Sequence, residues 1–227
     1  MTPNKILSAS VLLLASLSAS AQEWIDTYEA DELMTYGIRL GFNTSNATRS
    51  DKGALFNLDA WGTGFDAGAV VNLNFNNAIS LQPGFFFQSR SHNYSYAMPL
   101  PGEASNLPNV HEYGHTRYSS FQIPVMGIFK LRPAQNLVWS LEFGPYMNFG
   151  LGGSDKGTQD VGDQSRKYSD GYFDHRKKFD FGFKMGSGIQ FLDHYYVGIH
   201  YQAGCCSVWK YYGGKNKAWT FTIGYDF

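Results

Sequence analysis

The last ten residues constrain the fold of this chain more than any other stretch. Trp219, Phe221, Ile223, Tyr225 and Phe227 alternate strictly with Ala218, Thr220, Thr222, Gly224 and Asp226. Only a β-strand puts successive side chains on opposite faces, so this segment is a strand with one aromatic face and one small, polar face. The pattern recurs upstream. Leu137, Trp139, Leu141, Phe143, Pro145, Met147 and Phe149 oppose Val138, Ser140, Glu142, Gly144, Tyr146 and Asn148. Phe179, Phe181, Phe183, Met185, Ile189 and Phe191 oppose Asp180, Gly182, Lys184, Gly186 and Gln190. Five further segments follow suit around Ile38–Phe42, Phe65–Phe75, Ile79–Phe87, Phe121–Phe129 and Tyr195–Tyr201, giving eight candidate strands.

Composition then decides which face is inside. Charged residues are 16% of the chain and aromatics 17%, with 25 glycines and a net charge of −1. Nothing basic advertises nucleic acid, and nothing acidic advertises disorder. The interior of an eight-stranded barrel holds only modest side chains. The Gly, Ser, Thr, Asn and Gln face fits that lumen and would make a poor soluble exterior. The aromatic face therefore meets lipid, and the expected fold is an eight-stranded antiparallel up-and-down transmembrane β-barrel of outer-membrane type. A soluble two-sheet sandwich with an aromatic core is the alternative.

Connection lengths separate the two. Asn76-Asn77, Arg132 to Asn136 and Leu192 to His194 are short links. Thr44 to Gly64, Ser91 to Ser119, Gly150 to Lys178 and Gly204 to Lys217 are long, and short and long alternate throughout. Outer-membrane barrels have short periplasmic turns and long extracellular loops, whereas a sandwich has no reason to alternate. At the N-terminus, Lys5, the apolar run Ile6 to Leu17 and Ser18-Ala19-Ser20-Ala21 read as a signal peptide over residues 1–21. Residues 22–35 are then a periplasmic segment and 36–227 the barrel. Cys205 and Cys206 are neighbours and cannot staple distant parts of a fold.

The motifs Tyr36-Gly37-Ile38-Arg39-Leu40-Gly41-Phe42-Asn43, Leu81-Gln82-Pro83-Gly84-Phe85 and Phe121-Gln122-Ile123-Pro124-Val125 resemble the PorT-like outer-membrane β-barrel family common in Bacteroidetes. The likeness runs from about Tyr36 to Phe227. It implies location and fold; most members have no assigned activity, and one branch is linked to secretion.

Candidate chemistry is sparse. Arg39, Asp66, Arg90, Lys130, Glu142, Asp180, Lys184 and His200 fall on the lumen face, where charges out of water must pair. They are expected to form a salt-bridged plug, with a narrow diffusion pore as the competing reading. His111-Glu112-Tyr113-Gly114-His115 matches the H-E-x-x-H zinc-protease string, but that chemistry needs a helix. Here it is expected in a loop bearing Pro99, Pro101 and Pro108, as coincidence. Asp155, Asp160, Asp163, Asp170, Asp174 and His175 are expected in a solvated third loop with no recognisable dyad. Trp24, Tyr36, Trp61, Tyr94, Tyr118, Trp209, Tyr211, Tyr212 and Trp219 read as interfacial anchors near strand ends. The reading is a non-enzymatic outer-membrane protein without cofactor or metal. Its partners are outer-membrane lipid and an envelope or secretion protein, not nucleic acid.

Overall fold

A computed structural model describes residues 24–47, 56–98, 110–162, 164–210 and 214–227. The signal-peptide reading falls outside them. The described residues form nine strands: β1 (Met34–Ala47), β2 (Phe56–Asn74), β3 (Ile79–Met98), β4 (Val110–Ala134), β5 (Leu137–Val161), β6 (Gln164–Gly171), β7 (Phe179–Phe191), β8 (Tyr195–Gly204) and β9 (Asn216–Asp226). All pairings are antiparallel. Eight strands close a ring in the order β1-β2-β3-β4-β5-β7-β8-β9, with β9 returning to β1. The ninth, β6, pairs only with the far end of β5 and stands outside the ring.

Closure is what a bilayer demands, because no water is available there to satisfy a strand edge. The side chains then sort inside out relative to a soluble protein. Ile38, Leu40, Phe42, Phe85, Phe143, Phe221 and Ile223 point outward and are exposed, Ile223 at 60%. Asn43, Gln88, Gln122 and Thr220 point inward and are at most 2% exposed. One row of the outer surface is a girdle: Phe87, Phe121, Phe149 and Phe179 stand side by side in register across β3, β4, β5 and β7.

The strands run further than their alternation indicates. β4 and β5 have 25 residues each, against about 10 needed to cross a bilayer. Beyond the girdle they continue with β3 and β6 as a projecting sheet, so segments read as loops from Ser91 and from Gly150 begin as strand. Both faces of that sheet are polar or glycine-rich, so hydrogen bonding continues where the hydrophobic alternation has stopped. The short links lie where expected. The β7–β8 turn places Leu192 and Asp193 at φ 53° and 62°, the left-handed pair of a tight hairpin turn. On the same rim, residues 24–33 run along the strand ends, with the Arg132 amide donating to Trp24 O and the Asn74 amide to Leu33 O.

Candidate functional site

The lumen is crossed by polar side chains that hydrogen-bond strand to strand. The Arg39 guanidinium donates to both carboxylate oxygens of Asp226, at 2.7 and 3.0 Å, and lies 4.4 Å from the Tyr196 ring centre. Further in, Glu142 accepts from Ser140 Oγ at 2.7 Å, Tyr196 OH at 2.7 Å and His200 Nε2 at 2.8 Å. Asp66 accepts from Asn43 at 2.7 Å and Thr220 at 3.2 Å. A glutamine chain runs from Gln88 through Gln122 to Gln202, with steps of 3.1 and 3.3 Å. Asp180 accepts from Asn216 at 3.0 Å, and Arg90, 1% exposed, sits among Tyr118, Tyr146 and Asp66. Each strand offers one inward group every second residue, so an ion pair here can join segments distant in sequence.

The open space is unequal. A polar vestibule of about 400 Å³ at the turn end is lined by Arg39, Lys130, Glu142, Asp226 and Ala30–Glu32. The central cavity, among Arg39, Asp66, Phe86, Lys184 and His200, holds about 20 Å³. That is room for about one water.

At the opposite end the connection from β6 to β7 folds over the mouth. Tyr172 is buried and stacks on Tyr118 with centroids 4.3 Å apart. Arg176 is held at 2.6 Å by Asp155 and lies between the rings of Tyr172 and Trp209, at 4.3 and 4.1 Å. A guanidinium suits that place because its flat faces stack while its edge donates. His92 packs edge-on against Tyr172, and burial, followed by the charge of Arg176 and by His115, lowers its imidazole to about 3. Above it Tyr94, Gly114, Gly157 and Tyr168 pair in one row across β3 to β6, and the two phenols meet over the two glycines. Tyr94 donates to Asp155 and Tyr168 to Glu112. Burial first, then these hydrogen bonds, pushes both phenols up.

A closed antiparallel ring with an apolar exterior and a hydrogen-bonded polar interior has a counterpart among protein families. The outer membrane protein beta-barrel domain matches residues 21–205. The chain belongs to this family. It is an integral outer-membrane β-barrel protein and sits in the lipid bilayer. Among solved structures it is similar to the attachment invasion locus protein Ail of Yersinia pestis, at 16% identity, covering 86% of this chain and 100% of that one, TM-score 0.39. It is also similar to Neisserial surface protein A, at 10% identity, 86% and 100% coverage and TM-score 0.44. A third is OprG of Pseudomonas aeruginosa, at 13% identity, 89% and 99% coverage and TM-score 0.30. No curated protein matches the chain.

In this outer-membrane barrel the charges singled out from sequence all lie on inward strand positions. Glu142 and His200 touch each other, Asp66 and Asp180 are held by amides and hydroxyls, and Lys130 donates to Asn74 at 2.8 Å. Lys184 lies 5.3 Å from the Phe86 ring centre. Arg39 finds a partner that was not among the charges singled out from sequence. Asp226 alternates with Tyr225 and Phe227 and so was legible as inward, but Arg39 and Asp226 meet only because β9 closes on β1. Arg176 and Asp155 were not singled out as a pair either; they lie on segments without alternation.

Several expectations need correction. The H-E-x-x-H string is not in a loop: it occupies the start of β4, paired on both sides. In a strand its histidines point to the face opposite Glu112 and are about 13 Å apart, so the three cannot share a metal. No metal-ligand cluster occurs among the described residues. Asp155 and Asp160 lie on β5 and Asp170 on β6 rather than in a solvated loop. Tyr94 and Tyr118 point inward and are buried, so they anchor the mouth and not the bilayer interface. Tyr36 and Trp219 do point outward, whereas the bulge between Trp61 and Phe65 puts Trp61 in register with inward His92 at the mouth. Asp163, Tyr211, Tyr212, Pro99, Pro101 and Pro108 lie outside the described residues. Cys205 and Cys206 are free thiols.

Proposed function

We propose that this chain is a non-enzymatic barrel whose lumen is blocked, and whose specific work is done by its extracellular sheet and by contact with an envelope partner. One observation carries this reading: between the vestibule and the capped mouth, the central cavity has room for about one water. Arg39, Asp66, Arg90, Lys130, Glu142, Asp180, Lys184 and His200 are then the plug. Residues 1–21 act as the export signal and 22–35 as a periplasmic lead into the barrel. The motifs resemble the PorT-like branch of the family, and the partner is an envelope protein, of a secretion assembly or otherwise.

The test is conductance of the refolded protein in planar bilayers. The blocked reading expects no discrete steps across ±100 mV at 1 M KCl. The narrow-pore reading expects steps whose ion selectivity changes in Glu142→Gln, and that result overturns the proposal.

A further inference from the structure

Above the girdle, the outer face of the projecting sheet continues the lipid-facing wall of the barrel. Register sets its rows. Starting from Phe121 and climbing β4, the outward positions are Ser119, Arg117, His115, Tyr113 and His111. A bulge opposite Ser119 and Ser120 shifts β5, so that Ser154, Lys156, Thr158 and Asp160 share this face beside them. On β6, Ser169 pairs with Lys156 and Lys167 with Thr158. Arg117, Lys156 and Lys167 are all exposed, and none of them pairs with a carboxylate among the described residues. Asp160, in the topmost row, is the one acid on this face among the described residues of β3 to β6. The other acids of the sheet, Glu112, Asp155 and Asp170, point the opposite way.

Height gives the patch its meaning. At a rise of about 3.3 Å per residue and a tilt of about 40°, Arg117 stands about 10 Å above Phe121 on its own strand, Lys156 about 15 Å above Phe149, and Lys167 about 20 Å above Phe179, which lies below β6 on the same side of β5. The three cations climb the wall at levels where acyl chains have ended. Phospholipid headgroups occupy only about 5–7 Å on each side of the hydrocarbon. A glycolipid that carries phosphates on successive sugars reaches the whole series.

We propose that the outer face of β4 to β6 binds the phosphate groups of a phosphorylated glycolipid of the outer leaflet, through Arg117, Lys156 and Lys167. Arg117 offers two parallel donors to a phosphate, and the lysines act as point charges above it. Beside them Tyr113 and His115 flank the shallow open groove over Gly114 and Gly157, which leaves the backbone floor accessible to sugar hydroxyls. His115 already bonds Asn93 at 2.7 Å, which holds its ring at the groove edge.

The full mature chain in phosphatidylcholine nanodiscs tests this, with bound glycolipid counted by mass spectrometry after titration. The probe is a rough-type lipopolysaccharide with its phosphorylated inner core, compared with the same molecule after phosphate removal. The native protein is expected to prefer the phosphorylated form. Each cation replaced by glutamine should weaken binding about fivefold, and Arg117→Gln/Lys156→Gln/Lys167→Gln about a hundredfold. Arg117→Lys should recover part of the loss. The three positions are exposed, so heat-modifiable migration of every variant should match the native protein. Equal binding by the triple variant, or equal binding of the dephosphorylated probe, overturns the proposal. So does full competition by inorganic phosphate at equal phosphate concentration, or stronger binding of a soluble sulfated polysaccharide than of the glycolipid.

Discussion

Gly144 stands where no side chain fits: a Cβ there would come within 2.0 Å of the Val125 carbonyl oxygen. The strands cross so closely at this point that backbone fills the space. Gly152 is the opposite case, with nothing within 4 Å of its Cβ position. Gly144→Ala should therefore destabilise the barrel by about 1–3 kcal/mol through overpacking, while Gly152→Ala should be neutral within about 0.5 kcal/mol. Urea unfolding in lipid vesicles reads both. The Arg39–Asp226 pair makes a second residue-scale prediction. Both groups are nearly fully buried, so removing either leaves a charge without its partner. Arg39→Met alone should cost about 3–5 kcal/mol, and Arg39→Met with Asp226→Leu should recover most of that loss. If the double variant is no more stable than the single one, the pair is not coupled.

At the scale of elements, the segment after β6 matters most, because it seals the mouth through side chains rather than through a strand ladder. Tyr172 and Arg176 hold it between Tyr118, Trp209 and Asp155, and His92 lies beneath. The His92 imidazole, lowered to about 3, stays neutral in the folded mouth, whereas in an opened mouth it titrates near 6.5. A depressed histidine contributes stability that is fully present above its open-state value and is lost as pH falls toward the folded one. Acidification from pH 6.5 to 4 should therefore loosen the seal. Amide hydrogen exchange of Tyr172 to Lys177 should quicken over that window while exchange in β8 and β9 stays slow. In His92→Gln the acid response should vanish; if it persists, another group is responsible.

At the scale of the whole molecule, the closed ring implies that opening one seam exposes two unsatisfied edges to lipid. Unfolding should be cooperative and slow. The unheated protein should migrate on detergent gels at a different apparent mass from the boiled one, and it should fractionate with outer membranes. Equal migration in both lanes would be incompatible with the ring. The period-two alternation determined much of this in advance: eight segments alternate, their aromatic faces fit lipid and their small polar faces fit a narrow lumen. It put Arg39, Asp66, Lys130, Glu142, Asp180, Lys184 and His200 on the inner side, because inwardness is a property of parity along one strand. Parity carries no information about which strand comes next in space or at what shear. The pairing of Arg39 with Asp226 and of Glu142 with His200 therefore awaited the closed register. The projecting sheet was illegible for a related reason. Outside the bilayer neither face needs to be apolar, so the strands of β3 to β6 keep their hydrogen bonds but lose the signal that marks a strand. What the sequence determined was the side of the wall each spanning residue faces; the tertiary structure alone decided which residues meet across the lumen and how far the wall rises above the membrane, because ring closure fixes distances that alternation leaves open.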